Sequence, residues 1–345
     1  MRAVWYEGPR DYEVTERPDP VAGPGEVRLR VRAAGVCGTD VHLHHGGFSP
    51  RYPYTPGHEI VGEVESLGEG VTSPAPGTLV AVDNRISCGT CRMCRRAKPA
   101  FCTRLRDLGV TEPGGFAEYV VVPAGRCHPA DGLPLDVLAL AEPMACAVHG
   151  MDVLAPSPGV DALVLGAGTT GLLLAQLLRR SGAWRTTVAA PTQAKLDLAT
   201  RYGADRTVVV DRDGTGWVAE LRELAPDGFD VVVDATGAPS VQAHCVPLVA
   251  DGGTVLFYGM APEGETMPIS ANEIFRRELI IKGSFTQAYS FDRGLAALRA
   301  GVVRTDGMVT HHFGLDEYGT ALETVASDRS CIKALIHPEP MAVRP

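Results

Sequence analysis

Apolar and polar positions alternate through the first third of the chain, most regularly in Glu26-Val27-Arg28-Leu29-Arg30-Val31-Arg32. A period of two predicts half-buried strands, and Pro18, Pro20, Gly23, Pro24 and Gly25 mark the turns between them. Ile60–Glu65, Thr78–Val82 and Phe116–Val122 repeat the pattern, so roughly the first 150 residues read as a strand-rich, barrel-like domain. The period then changes. Short apolar runs at Asp161–Leu165, Thr186–Ala190, Arg206–Val210, Phe229–Asp234, Gly253–Tyr258 and Leu279–Gly283 alternate with helical segments at Leu172–Gly182, Gln193–Tyr202, Gly216–Leu224 and Ser240–Val249. This alternation predicts an α/β unit with a doubly wound parallel sheet of six strands. Two amphipathic segments, Ser290–Ala300 and Leu315–Ser327, follow, and Lys333–His337 reads as a strand returning to the first domain. The expected division is one domain from 1–152 and 286–345, interrupted by a second at 153–285.

A chain of 345 residues exceeds one ordinary domain, which agrees with two. Its 45% hydrophobic and 21% charged residues exclude a disordered chain. The net charge of −9 and a single short basic patch, Arg92–Lys98, argue against a nucleic-acid partner and favour a small polar substrate. No apolar run reaches the ~18 residues that cross a bilayer. Met1-Arg2-Ala3-Val4-Trp5 lacks a secretory apolar core, so a cytoplasmic location is expected, with the nine cysteines reduced. Clustered thiols in that compartment point to metal or catalysis rather than disulfides.

The densest chemistry lies between Gly35 and Glu59. Cys37, His58 and Glu59 offer a thiolate, an imidazole and a carboxylate, the ligand types that borderline-soft Zn²⁺ accepts, and three protein ligands leave a position for substrate oxygen. Thr39 and His42 place a hydroxyl and a second imidazole near the same thiolate, as removal of an alcohol proton requires. A core cysteine beside a turn histidine is the plainer alternative. His44 and His45 follow; they either make the pocket rich in acceptors or belong to a solvent-exposed loop.

A second cluster, Cys88-Gly-Thr-Cys91-Arg-Met-Cys94 with Cys102, can close a tetrahedral four-thiolate shell, which leaves no vacancy and is therefore structural. An iron–sulfur cluster is the alternative use of four thiolates. Glu142 precedes Pro143 at a predicted helix start, where an acid is either a functional group or a cap. Cys146 and His149 share a helix face and read as packing, as do Cys127, Cys245 and Cys331. After the strand Asp161–Leu165 comes Gly166-Ala-Gly168-Thr169-Thr170-Gly171, then a helix. Strand, G-x-G-x-x-G and helix in that order form a dinucleotide fingerprint, with the helix N-terminus facing pyrophosphate.

Taken together, Gly-Val-Cys37-Gly-Thr39-Asp-Val-His42, Gly57-His58-Glu59, the four-cysteine lobe, the fingerprint glycines and Asp234-Ala-Thr-Gly237 resemble the zinc-containing medium-chain alcohol dehydrogenase superfamily over nearly the full length. Glu142-Pro143 resembles its polyol, sorbitol-like branch, with threonine dehydrogenase a near neighbour. The resemblance implies a GroES-like β-rich catalytic domain with a structural zinc lobe at about 86–104, and a doubly wound Rossmann coenzyme domain. It implies a homo-oligomer, dimer or tetramer, that oxidises a secondary hydroxyl of a polyol, sugar alcohol or cyclitol. Cys37, His58 and Glu59 would hold a catalytic zinc, with Glu142 a ligand or one water away; Thr39 and His42 would relay the proton; and Cys88, Cys91, Cys94 and Cys102 would hold a second zinc. Gly166, Gly168, Thr169, Thr170 and Gly171 would meet the dinucleotide, as would Thr236 and Gly259. The acid expected about 20 residues past the fingerprint, which binds the adenosine ribose, is replaced by Ala190, and Thr192 and Lys195 follow, so NADP is favoured over NAD. Threonine or general secondary-alcohol dehydrogenase, a silent cofactor-binding protein and a zinc-free quinone reductase are the competing readings.

Overall fold

The computed structural model describes residues 1–48, 50–130, 132–211 and 214–339. Two compact units emerge: Met1–Ala145 with Phe291–Ala300 and Met308–Pro345, and Cys146–Ser290 with Gly301–Gly307.

In the first unit a seven-stranded sheet runs in the order Val309–Gly314, Lys333–His337, Glu26–Val36, Glu59–Leu67, Leu79–Val82 and Cys127–Pro129, with Tyr119–Pro123 also pairing Glu26–Val36. Only the first two strands are parallel. Alternation does what the sequence pattern requires: Val27, Leu29 and Val31 are fully buried while Arg28, Arg30 and Arg32 stay accessible. The inward side chains join Val4, Tyr6, Phe116, Val120 and Ile336 in one core. Burying each such aliphatic or aromatic side chain contributes about 1.5–3 kcal/mol before chain entropy is charged against it. The Lys333–His337 strand is buried at every position, lying between two partners.

In the second unit six parallel strands lie in the order Arg206–Val209, Arg185–Ala190, Asp161–Leu165, Phe229–Asp234, Val249–Phe257 and Ile280–Gly283. The order reverses beside Asp161–Leu165, whose five residues are all buried, as in a doubly wound nucleotide-binding sheet. Two helix boundaries differ from the sequence reading. The fingerprint helix starts at Thr169 and ends at Arg180. The segment read as one helix, Ser240–Val249, is two short helices, Pro239–Gln242 and Cys245–Leu248, followed at once by a strand. Pro247 explains the break: it has no N–H to donate and its ring collides with the carbonyl four residues earlier. Among the described residues no helix is long and apolar enough to cross a membrane.

Candidate active site

The first strand-to-helix junction of the Glu26–Val36 strand delivers Cys37, which occupies the N-cap of the short helix Gly38–His44. Asp40, at the third position of that helix, folds back so that its Oδ2 accepts from the Cys37 amide at 2.8 Å. The next strand begins at Glu59, in register with Gly35, so the strand pairing itself brings His58 and Glu59 alongside Cys37. Gly57, with φ of +98°, turns the chain where a Cβ would lie 2.8 Å from the Phe116 amide, so only glycine lets the loop approach so closely.

One ligand atom from each of Cys37, His58 and Glu59 lies within 4.8 Å of the others. His58 and Glu59 are buried and Cys37 is half-buried, a donor set that suits zinc. Behind it, the fully buried Asp40 sets Oδ1 3.5 Å from His58 Nδ1, and neither atom has another hydrogen-bond partner. A carboxylate against the rear nitrogen of a ligating histidine fixes ring orientation and tautomer. Burial works against the imidazolium, but Asp40 and then Cys37 outweigh it and raise the His58 pKa well above its ordinary value.

Sequence reasoning missed Lys333. It is 4% exposed, and its Nζ donates to both Glu59 oxygens at 2.7 Å and to the Val36 carbonyl at 3.3 Å. Burial disfavours the ammonium, yet the Glu59 carboxylate, then Cys37 and more weakly Glu142, raise its pKa above the usual lysine value. Glu142 is buried in the first turn of the Ala141–Leu154 helix and lies outside the three-residue donor set. Lys333 is invisible in sequence because 274 positions separate it from Glu59; Asp40 was also missed, although an acid three residues after Cys37 is a local signal for the bond it makes to the Cys37 amide.

Thr39 Oγ1 lies 3.8 Å from Cys37 Sγ. His42 sits in the last turn of the same helix, and burial, aided by His45, lowers its pKa, keeping the ring neutral. Of the two readings of His44 and His45, the contacts favour a place at the helix end over enrichment of the pocket. His44 Nδ1 meets the Tyr6 hydroxyl at 2.8 Å within a cluster that includes Tyr12, and His45 accepts from Arg10 Nε at 3.0 Å. They lie at the helix C-terminus, each with its Nδ1 engaged there.

The four lobe thiols also converge within 4.8 Å. The backbone amides of Cys88, Cys91, Cys94 and Arg104 point at sulfur, at 3.3–3.5 Å. Amide donation, chiefly from Thr90 and Cys91, lowers the Cys88 pKa to about 5, and Cys91 falls to about 7, whereas burial pushes Cys94 up to about 11. Thiolates already supported by amides are the form a metal takes. Of the other cysteines, Cys127, Cys245 and Cys331 are buried and Cys146 is half-buried.

In the second unit Gly166 has φ of +110°, a Cβ on Gly171 would fall 2.1 Å from the Gly166 carbonyl oxygen, and Gly168 caps the Thr169–Arg180 helix with open space beside it. These are the tight turn, close helix packing and clear approach that a pyrophosphate needs. Thr170 lies in the first turn of the same helix. Thr236 binds the buried Asp234 through both its amide and its hydroxyl, and Gly259 packs so tightly on the Thr236–Gly237 turn that a Cβ would lie 2.1 Å from an amide nitrogen. Ala190 ends its strand, buried; Thr192 stands at the N-cap of the Gln193–Arg201 helix, with the half-buried Lys195 in its first turn.

Two family models cover most of the chain: the alcohol dehydrogenase GroES-like domain matches residues 23–132 and the zinc-binding dehydrogenase model residues 169–300. D-arabinitol dehydrogenase 1 of Uromyces fabae is 42% identical across 98% of this chain and 97% of its own. Two solved structures superpose over 98% of this chain and 99% of theirs: a Sinorhizobium meliloti 1021 protein bound to NADP, at TM-score 0.90 and 33% identity, and Escherichia coli CFT073 rspB complexed with NADH, at 0.89 and 30%. The chain belongs to the zinc-containing medium-chain alcohol dehydrogenase superfamily, in its polyol dehydrogenase branch. It is an NAD(P)-dependent oxidoreductase acting on small hydroxylated substrates.

Proposed function

We propose that the protein reversibly oxidises a secondary hydroxyl of a polyol, sugar alcohol or cyclitol to a ketone, holding one catalytic and one structural zinc and preferring NADP. The observation that carries this reading is the convergent set of half-buried Cys37 with buried His58 and Glu59, alongside a further buried carboxylate, Glu142, whose charge acts on Lys333. Similarity to an arabinitol dehydrogenase supports the substrate class.

Cys37, His58 and Glu59 would hold the catalytic zinc, which supplies Lewis-acid polarisation of the substrate hydroxyl when bound. The chain does the rest. Asp40 fixes the Cys37 amide and the His58 ring, and Lys333 fixes Glu59. Thr39 would accept the substrate hydroxyl proton as its own Oγ1 proton moves on to His42, whose pKa burial lowers. The glycine loop and the Thr169 helix end would hold the pyrophosphate of a nicotinamide cofactor, which would supply hydride acceptance when bound. Cys88, Cys91, Cys94 and Cys102 would close the second zinc and staple the lobe. The lack of an acid at Ala190 removes repulsion toward a 2′-phosphate, and Thr192 and Lys195 offer it donors. A homo-oligomer is supported by the open edge strand Ile280–Gly283, where Ile280 remains 47% exposed.

The test is a steady-state panel. A pentitol, hexitol or inositol should exceed ethanol and 1-butanol in kcat/KM by at least ~100-fold, about 2.7 kcal/mol, because a site built to hydrogen-bond a vicinal hydroxyl rejects an alkyl chain that lacks it. Equal rates on butanol and polyols would reject the substrate class, and rapid turnover of threonine alone would transfer the protein to amino-acid chemistry.

A further inference from the structure

The buried ammonium of Lys333 is saturated in a particular way. An ammonium has three donors; two go to Oε1 and Oε2 of Glu59 and one to the Val36 carbonyl, the residue before Cys37. Opposite it the strand partner of Glu59 is Gly35, where a Cβ would lie 1.8 Å from Glu59 Oε2. The carboxylate therefore fits only because position 35 carries no side chain, and it is gripped along one edge by a cation with no donor left for another partner. Glu59 itself is 1% exposed. Cys37, Glu59 and Glu142 act on the charge of Lys333, while Asp40 faces His58 and the Cys37 amide.

We infer that Lys333 is the positioning residue of the metal centre: it holds Glu59 in place before a metal arrives and offsets one of the negative charges of the site afterwards. The inference rests on the zinc reading above and adds that Lys333 is what orients the Glu59 carboxylate within the donor set. A plain structural ion pair joining two strands would serve stability alone, and an apolar pair of similar volume could replace it.

The test uses full-length protein stripped of metal and reloaded with Co²⁺, comparing wild type with Lys333→Met, Lys333→Arg and the double variant Lys333→Met, Glu59→Gln. Lys333→Met leaves a buried carboxylate unneutralised until metal binds, so metal should raise its Tm by at least ~5 °C more than it raises that of wild type. Its Co²⁺ visible spectrum, taken as a difference against Cys37→Ala, should change, and kcat on the best polyol should fall at least ~10-fold while KM moves less than about threefold. Lys333→Arg should restore the spectrum and most of kcat. The double variant removes the orphan charge, so its metal-induced Tm rise should drop below that of wild type. Parallel Tm losses with and without metal, with an unchanged Co²⁺ spectrum in Lys333→Met, overturn the inference. If Lys333→Met does not fold, a wild-type metal response in the double variant overturns it equally. The zinc reading fails separately, if Cys37→Ala binds as much Co²⁺ as wild type with the same spectrum.

Discussion

Asp40→Asn is the sharpest probe of the proposed metal centre, since it keeps shape and volume while exchanging an anionic double acceptor for a neutral amide that donates at one end. In the native site one carboxylate oxygen takes the Cys37 amide at 2.8 Å and the other faces His58 Nδ1 at 3.5 Å. Asparagine can offer its oxygen to the Cys37 amide, but then its NH₂ group faces His58 Nδ1. A donor there selects the tautomer with the proton on the opposite ring nitrogen, which is the nitrogen left to bind metal. Loss of such an outer partner typically costs 10–100-fold in metal affinity, about 1.4–2.7 kcal/mol. Asp40→Ala should lose the same amount and a further ~1.5 kcal/mol of fold stability, because the bond from the half-buried Cys37 amide to a charged acceptor disappears. The assay is zinc competition against a chelator of known affinity, with one of the two metal equivalents expected to weaken and the lobe equivalent unaffected. Zinc affinity in Asp40→Asn within about threefold of wild type would refute the reasoning.

Three other expectations come from separate parts of the molecule. Cys94→Ala should shed one metal equivalent and lower Tm by at least ~5 °C while kcat at low temperature persists; metal analysis with calorimetry decides, and full retention of two metals would reject a closed lobe. Ala190→Asp should shift kcat/KM toward NAD by at least ~10-fold, read from paired NAD and NADP kinetics, and wild-type preference for NAD by that margin would discard the NADP reading. His337 is buried against His312, with ring nitrogens 3.0 Å apart; burial first and His312 next lower its pKa below 6.5, although its bond to the Arg32 carbonyl opposes this. The folded chain then binds fewer protons than the unfolded chain, so this stabilisation is present above pH ~6.5 and lost as pH falls through the lower folded value. His337→Gln should flatten the fall in Tm between pH 7 and 5, and an unchanged slope would exclude His337 as its source.

What the sequence made legible was local. Cys37 to His42, His58-Glu59, the cysteine lobe and the glycine loop each lie within a short stretch, so ligand chemistry and spacing could be read without knowing the fold. The Asp161–Leu165 strand and the segment after it were clear because buried parallel strands are uniformly apolar. The single helix drawn across Ser240–Val249 failed because periodicity carried past Pro247, whose backbone cost outweighs an amphipathic pattern. For His44 and His45 the sequence left a pocket role and an exposed loop both open, and the helix end turns their Nδ1 atoms to Tyr6 and Arg10. Lys333 could not be found at all, since nothing local distinguishes a lysine in Lys333-Ala-Leu-Ile-His337 from one at an exposed strand start; only the sheet order places it on Glu59.

That sheet order also sets a timetable. The strand bearing Lys333 fills the slot between Glu26–Val36 and Val309–Gly314, so the first unit is sewn shut by a piece of chain made some 300 residues after the strand it completes. During synthesis at about 5–20 residues per second, Cys37, His58 and Glu59 exist for many seconds with an uncovered strand edge beside them. The almost contiguous Cys146–Ser290 unit, by contrast, has emerged whole before Lys333 is translated. A nascent chain thus carries all of its Rossmann-type unit before it carries the strand that closes the other, and a product ending before residue 333 would lack the lysine that holds Glu59.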